Sequence, residues 1–220
     1  MFSTYKAIAA IAAGIAVVVA LVAAPVVASQ ADFAECRVDL QQQARTAGIS
    51  EHTVNAVLAQ VQYVERVIEL DRQQPEFSQT FADYFSRRVT STRVEKGREL
   101  LLEHAELLDR VQRRTGVPAH YLVAFWGLET NFGSFFGNMP AADSLATLAC
   151  DKRRSRYFTG ELMAALQILE SGEIGIEQMV GSWAGALGHV QFMPSTFLKY
   201  ALDEDGDGRR DLWGGVPDAM

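Results

Sequence analysis

Apolar residues recur at every third or fourth position along most of this chain after residue 50, and this spacing limits its fold more than any other feature. It is present in the segments 50–61, 77–85, 90–114, 118–129 and 157–170. Such spacing places apolar side chains on one face of an α-helix, whereas a half-buried strand alternates apolar and polar residues. Because no sustained alternation occurs, the sequence predicts an all-α protein.

Two of these predicted helices have distinctive faces. One carries an aromatic stripe formed by Phe77, Phe81, Tyr84 and Phe85. The other is predicted to run unbroken over residues 90–114 and to end near Gly116, with charges between its apolar positions. A chain of 220 residues that is 49% hydrophobic is long enough to bury a core of ordinary size. The sequence therefore predicts one domain, over residues 32–220.

The first 31 residues predict export. Lys6 precedes an uninterrupted run of small and apolar residues from Ala7 to Val27, and small residues follow before the first acidic residue, Asp32. This order is typical of a secretory signal peptide. The run is also long enough to span a bilayer, so an uncleaved N-terminal anchor is the alternative. In either case the sequence predicts a periplasmic or exported protein, associated with the membrane if the anchor is kept.

Net charge limits the kinds of partner that this protein can bind, and its two cysteines are consistent with an oxidising compartment. A formal charge of -7 leaves no basic footprint for nucleic acid. The two cysteines, Cys36 and Cys150, are far apart in sequence, and in an oxidising compartment they are predicted to pair. The alternative is two unpaired thiols, one buried as a small hydrophobic residue. Neither has the neighbours of a catalytic nucleophile.

Glu129 is the candidate catalytic acid. It follows an apolar stretch that contains Phe125, Trp126 and Leu128. A region punctuated by glycines begins after it, at positions 133, 137, 181, 185 and 188. Partial burial raises a carboxyl pKa, which suits a general acid near neutral pH, and cleavage of glycosidic bonds uses such an acid. The alternative is a helix-end glutamate engaged in a buried hydrogen bond.

The run DEDGDG at residues 203–208 matches the first half of a calcium-binding EF-hand loop. Positions 1, 3, 5, 6 and 7 of that loop fall on Asp203, Asp205, Asp207, Gly208 and the carbonyl of Arg209. Position 12, usually glutamate, is Gly214. The sequence therefore predicts an EF-hand-like loop that holds a structural Ca²⁺, and the alternative is a plain acidic turn.

Several sequence blocks together resemble the membrane-bound lytic murein transglycosylase B family. The most specific is FWGLETNFGSFFG at residues 125–137, in which Glu129 matches the family's acid/base. Four blocks follow it in the family's order: DSLATLAC (143–150), RRSRYFTGEL (153–162), GSWAGALGHVQFMPSTF (181–197) and DEDGDGRRDLW (203–213). The upstream segments QQPEF (73–77) and RVEKGREL (93–100) also look similar to the family. The number and order of the blocks make the resemblance specific over most of the chain after about Pro118.

This resemblance implies a lysozyme-like helical domain with an irregular, loop-rich cleft for glycan strands of peptidoglycan. Glu129 would protonate the glycosidic oxygen and then, as a carboxylate, accept the proton of the muramoyl 6-hydroxyl that attacks C1. The product is a 1,6-anhydromuramoyl end, and the chemistry requires no cofactor. One carboxylate suffices because the nucleophile belongs to the substrate, whereas glycosidases commonly use two. Asp143 and Glu161 are the carboxylates that geometry has to exclude from a second role.

The resemblance also implies roles for other residues within these blocks. Ser182 and Gln191 match substrate hydrogen-bonding residues, and Arg153 and Arg154 match a pair that lines the cleft. The alternatives are a buried amide for Gln191 and a solvated turn for the arginines. In the family, an acid slightly beyond the EF-hand-like loop closes the calcium site, and Asp218 is its counterpart here.

Three further residues of these blocks have open or unassigned roles. Phe132 and Trp183 are candidates for stacking on sugar faces, with a place in the core as the alternative for either. His189 lies within a family block and receives no assigned role.

Family members continue beyond the position of Met220, so the resemblance predicts a catalytic domain that is truncated at its C-terminus. Two other functions remain open at this point. One is a lysozyme-type hydrolase that cuts the same bond with water, and the other is a non-catalytic peptidoglycan-binding protein. The products of the reaction distinguish all three.

Overall fold

The computed structural model describes residues 30–73 and 79–220. The predicted signal peptide or anchor at residues 1–31 lies outside this range, apart from positions 30 and 31 at the start of the first helix. None of the described helices is both long and apolar enough to cross a lipid bilayer.

Helices dominate the described residues, which confirms the all-α prediction. They are α1 (Gln30–Thr46), α2 (Glu51–Thr53), α3 (Glu65–Gln73), α4 (Phe81–Arg88), α5 (Ser91–Glu103), α6 (Ala105–Thr115), α7 (Ala119–Thr130), α8 (Ala141–Cys150), α9 (Ser155–Ser171), α10 (Pro194–Tyr200) and α11 (Val216–Ala219). A π-helical turn at Val54–Leu58 continues α2, and a 3₁₀ turn covers Ile176–Gln178. Strands β1 (Met139–Pro140) and β2 (Val180–Gly181) form a short antiparallel ribbon.

The helix boundaries follow local signals in the sequence. The side-chain oxygens of Ser50, Thr80 and Thr90 each accept a hydrogen bond from the backbone amide three residues further on. Such caps satisfy amides that have no partner within the helix. Gly116 and Gly172, both with positive φ, directly follow α6 and α9, and the first of these ends is where the sequence predicts it.

The predicted single helix over residues 90–114 is wrong, because the chain breaks at His104 into α5 and α6. The break allows both helices to pack against α7. Leu100 of α5 and Leu108 of α6 then join Trp126 of α7 in one buried cluster. Apolar periodicity continues through the break, so it could not reveal the change of direction.

The larger core surrounds α8 and α9, which pack against each other. Helices α1 and α3 cover α8, and α10 packs against α9. Leu145, Leu148, Leu162 and Leu166 are fully buried there. A disulfide between Cys36 and Cys150 joins α1 to the last residue of α8.

The smaller core lies between α5, α6 and α7 and contains Leu100, Leu108, Val123 and Trp126. The segment at residues 181–193, here called the cleft loop, packs instead against the larger core through Leu187. The ribbon of β1 and β2 connects the two regions, because Met139 follows α7 and pairs with Gly181 at the start of the cleft loop. Helix α7 and the cleft loop thus come from different cores.

Helix α4 presents its aromatic side chains to solvent. Phe81 is 78% exposed, Phe85 is 50% exposed and no residue of α4 is buried. The fourth residue of the stripe, Phe77, lies outside the described residues. The helix lies at the surface, and its last residue is Arg88.

Candidate active site

Glu129 lies at the end of α7, one residue before Thr130. Its side chain reaches the surface, and Phe125, one helical turn earlier, is 61% exposed beside it. Loss of solvent around the carboxyl raises the pKa of Glu129, and the positive charge of Arg88 partly opposes that shift. The residue therefore combines access to a ligand with a raised pKa, which is what a general acid requires.

The turn after Glu129 is held in an unusual backbone conformation. Asn131, Phe132 and Gly133 all have positive φ angles, of 50°, 61° and 75°. Thr130 fixes this turn, because its hydroxyl accepts a hydrogen bond from the Gly133 amide at 3.0 Å and donates to the carbonyl of His189 at 2.8 Å. The carboxyl end of α7 is thereby attached to the cleft loop.

Phe132 packs inward in this turn. Its ring meets Trp126 edge to face, with 5.8 Å between ring centroids. A Cβ atom at Gly127 would lie 2.7 Å from the same ring, so only glycine leaves the space that Phe132 occupies. These contacts favour the core interpretation of Phe132 over sugar stacking. Trp183 is likewise partly buried against the larger core.

His189 is a residue that the sequence analysis left without a role. It is buried, and its Nδ1 accepts a hydrogen bond from the Trp126 indole at 2.9 Å. The indole only donates, so Nδ1 must be unprotonated. Burial lowers the pKa of His189, with partial opposition from Asp211, and this favours the neutral ring.

The His189 ring also lies against Gly133, where a Cβ atom would come within 2.2 Å of it. His189 therefore joins α7 to the cleft loop through both its side chain and its backbone carbonyl. No local signal could identify this role, because its partner Trp126 is 63 positions away in sequence.

Ser182 and Gln191 both lie in the cleft loop, as their family block predicts, and both support its shape. The Ser182 hydroxyl accepts a hydrogen bond from the Ala186 amide at 3.1 Å. The side-chain nitrogen of Gln191 donates to the carbonyls of Phe136 at 3.1 Å and Gly188 at 3.0 Å. Their predicted contacts with substrate stay predictions. The Ser182 hydroxyl and the Gln191 side-chain amide would make them through the atoms that these hydrogen bonds leave free.

Arg153 and Arg154 converge on one buried carboxylate rather than standing free. Arg153 donates to a carboxylate oxygen of Asp71 from Nε at 3.0 Å and to its backbone carbonyl at 2.9 Å, and Arg154 binds the other carboxylate oxygen. Asp71 is only 1% exposed. The sequence analysis did not single out Asp71, whose pairing depends on α3 approaching the turn before α9.

Asp143 and Glu161 have partners away from Glu129. Asp143 accepts a hydrogen bond from the Gln62 amide at 3.1 Å. Both oxygens of the buried Glu161 are bound by Ser195, from its amide at 2.9 Å and its hydroxyl at 2.7 Å. Within the described residues, no hydrogen bond connects either carboxylate to Glu129, and the bonds of Glu161 occupy both of its oxygens within the protein.

The acidic loop brings three carboxylates together. Ligand oxygens of Asp203, Asp205 and Asp218 all lie within 4.8 Å of one another. The amide of Asp207 donates to Asp205 and lowers its pKa, but desolvation and the charges of Asp207, Asp218 and Asp203 outweigh that bond, so the pKa of Asp205 is raised. Such mutual repulsion is what a bound cation relieves, and carboxylate oxygens are the ligands that Ca²⁺ prefers.

The remaining predicted ligands stand next to this cluster. The Asp207 carboxylate accepts a hydrogen bond from the amide of Arg209 at 2.8 Å. Asp218 receives amide hydrogen bonds from Glu204 and Asp211, both at 2.7 Å. These bonds hold Asp218 over the loop, although it lies well beyond position 12.

An all-α domain that presents one partly desolvated glutamic acid at a helix end, beside an irregular loop, has the features of a lysozyme-like glycan-cleaving fold. The chain belongs to the Transglycosylase SLT domain family, whose model matches residues 32–220. The predicted resemblance is thereby confirmed.

Individual relatives support the same assignment. The membrane-bound lytic murein transglycosylase B of Escherichia coli K12 is 32% identical over 179 residues, which cover 77% of this chain and 50% of that protein. Crystal structures of SltB3 from Pseudomonas aeruginosa, in complex with NAG-NAM-pentapeptide and with NAG-anhNAM-pentapeptide, match with TM-scores of 0.81 and 0.80. Their sequence identity is 43%, over 85% of this chain and 50% of theirs.

A further solved structure, the Escherichia coli lytic transglycosylase SLT35 in complex with calcium, matches with a TM-score of 0.73 and 30% identity, over 87% of this chain and 60% of that one. The chain thus spans 50% to 60% of the length of these relatives.

Proposed function

We propose that this protein is a lytic transglycosylase that cleaves the β-1,4 bond between N-acetylmuramic acid and N-acetylglucosamine in peptidoglycan. The observation that carries the proposal is Glu129, an accessible carboxyl with a raised pKa at the end of α7. The complexes of SltB3 with NAG-NAM-pentapeptide and NAG-anhNAM-pentapeptide support it, because they contain a glycan and its anhydro form in a relative of 43% identity.

The reaction needs one proton donor that becomes a proton acceptor. Glu129, whose pKa is raised by desolvation, gives its proton in the acid form to the glycosidic oxygen as the bond to C1 breaks. The resulting carboxylate takes the proton of the muramoyl 6-hydroxyl, whose oxygen forms the new bond to C1. Glu129 ends the cycle protonated, the leaving sugar carries a free 4-hydroxyl, and no water is consumed.

The surrounding residues hold this acid in place. Trp126, Thr130 and His189 attach the end of α7 to the cleft loop through side-chain hydrogen bonds. Ser182 and Gln191 occupy the same loop, and we assign to them hydrogen bonds to the sugar hydroxyl and acetamido groups. For Arg153 and Arg154 we propose a smaller contribution, since Asp71 already binds both guanidinium groups.

Product analysis tests the proposed function. Purified murein is incubated with the protein, and the soluble products are identified by mass spectrometry. We expect muropeptides that end in 1,6-anhydromuramic acid, which are 18 Da lighter than the hydrolysis products because no water is added. Reducing muramic acid ends would instead establish a lysozyme-type hydrolase, and binding of glycan without any product would establish a binding protein.

We also propose that the acidic loop binds a structural Ca²⁺ through Asp203, Asp205, Asp207, the Arg209 carbonyl and Asp218. The clustered carboxylates support this site, and the calcium complex of SLT35 shows calcium in a relative. The loop leads directly into the active site, because the amide of His189 donates to the carbonyl of Leu212 at 2.8 Å. Ordering the loop would therefore stabilise the position of His189.

Calcium should bind the chelator-treated protein in a calorimetric titration, and a concentration about 100 times Kd should stabilise the fold by about 2.7 kcal/mol. The double variant Asp203→Asn, Asp205→Asn should lose both effects. Asp109→Asn is the matched control, since this aspartate pairs with Arg113 on the exposed face of α6. No binding by the parent up to millimolar calcium would refute the site.

We further propose that the protein acts outside the cytoplasm, at the murein layer. The apolar N-terminal run supports export, and the Cys36–Cys150 disulfide is of a kind that persists in oxidising compartments. The related transglycosylase B of Escherichia coli is membrane-bound by name.

A further inference from the structure

A groove between α5 and α7 lies beside Glu129 and takes no part in the proposed chemistry. It encloses about 270 Å³. Its walls are mainly apolar and include Val94, Leu101, Ala124 and Leu128. Arg88 also lines the groove, and its charge acts on Glu129, so one end of this α5–α7 groove lies near the catalytic acid.

The two helices run in opposite directions along the groove. Arg93, near the start of α5, donates to the side chain of Asn131 at 3.2 Å, just beyond the end of α7. The groove extends from there to His120, in the first turn of α7. At 1.5 Å of rise per residue, His120 and Leu128 are about 12 Å apart, which accommodates three to four residues of an extended peptide at roughly 3.4 Å each.

Cationic side chains line this apolar groove in a protein whose net charge is -7. Arg88 lies near the Glu129 end, and Arg98 lines the groove from α5. Within the described part of the chain, neither side chain forms a hydrogen bond or an ion pair, although Arg88 lies 5.8 Å from the centre of the Tyr84 ring. By contrast, Arg113 and Arg210 on the same domain are paired with carboxylates.

An apolar groove with free guanidinium groups fits a ligand that alternates small apolar groups with carboxylates. The stem peptide of murein has this chemistry, since alanyl methyl groups and free carboxylates alternate along it. It is also joined to the muramic acid residue at which Glu129 would act, so it must leave the cleft close to this acid.

We propose that the α5–α7 groove binds the stem peptide, with Arg88 and Arg98 receiving its carboxylates. The inference rests on the proposed function for its substrate class. It assigns to these two arginines a preference for stem-bearing over stem-free glycan. Arg88 is the nearer of the two to the bond that is cleaved, because its charge acts on Glu129.

Binding measured without turnover tests the groove. In a Glu129→Gln background, calorimetry gives the Kd of a GlcNAc-MurNAc-pentapeptide and of the same disaccharide without a stem. We expect Arg88→Gln and Arg98→Gln each to weaken pentapeptide binding about three- to tenfold, as loss of an exposed charge-assisted hydrogen bond does. Binding of the stem-free disaccharide should change less than about twofold, because it presents no stem carboxylate to either arginine. Arg113→Gln, on the exposed face of α6, is the matched control.

A second variant tests the apolar wall. Ala124→Phe places a ring in the groove from an exposed position of α7 and should weaken pentapeptide binding alone. Equal losses for both ligands, or no loss for the pentapeptide, would overturn the inference.

The groove assignment and the proposed function can fail separately. If the arginines determine the preference for the pentapeptide but the parent yields no anhydro product, the proposed function fails and the groove assignment stands. If the parent yields product and the preference is unchanged, only the groove assignment fails.

Discussion

The variant Glu129→Gln should release anhydromuropeptides about a thousandfold more slowly than the parent, within the range of about 10² to 10⁴ that a positioned acid/base contributes. An amide of the same shape has no acidic proton to give to the glycosidic oxygen and no carboxylate to receive one. Because Glu129 forms no hydrogen bond or ion pair within the described residues, the fold should be unaffected. Initial rates on purified murein test the expected loss of activity, and thermal unfolding of both proteins tests whether the fold is unaffected.

The control for this variant is Glu99→Gln, which removes a carboxylate paired with Lys96 on the surface of α5. It should leave the rate within about twofold of the parent, as expected of a surface substitution. A Glu129→Gln protein that keeps more than about a tenth of the parent's rate would show that another group donates the proton.

The pH dependence of the parent provides a further measure of the same group. In the proposed reaction the acid form of Glu129 acts first, so the rate should fall as pH rises through its pKa. Since desolvation raises that pKa, the fall should occur at a higher pH than for an ordinary glutamate. A fall at or below the pH of an ordinary glutamate would contradict the proposed role.

Removing the disulfide should cause the largest loss of stability. The double variant Cys36→Ser, Cys150→Ser opens a link across 114 positions. A loop of about 100 residues corresponds to about 4.7 kcal/mol in the chain-entropy model, and measured losses are commonly about 2–5 kcal/mol. We expect a loss of about 3–4 kcal/mol in the free energy of unfolding, measured by denaturant titration.

The reduced parent is the control for the serine substitutions. After treatment with a thiol reductant it should unfold at nearly the same denaturant concentration as the double variant. A loss below about 1 kcal/mol in both would show that α1 is held on α8 by packing alone. Phe33 and Leu40 of α1, both buried in the larger core, would then account for that attachment.

Much of the fold and part of the site could be predicted from the sequence. Helix caps such as Ser50 and terminal glycines such as Gly172 are local signals, and the structure places helix ends beside them. Glu129 was identifiable as a candidate because it lies within the most specific family block, FWGLETNFGSFFG at residues 125–137. The aromatic stripe on α4 was less informative, since apolar spacing predicts a helix but does not say whether another element covers its face.

The sequence by itself determined the helical class, the family blocks and the candidate for the catalytic glutamate, because each depends on residues within one helix or loop. Only the tertiary structure decided the break at His104, the convergence of Arg153 and Arg154 on Asp71, and the role of His189. These features depend on groups that are tens of positions apart, and their hydrogen bonds and ion pairs exist only once separate helices have packed. Periodicity predicts a helix and its apolar face, whereas packing alone decides whether that face is covered and which polar groups meet beside it.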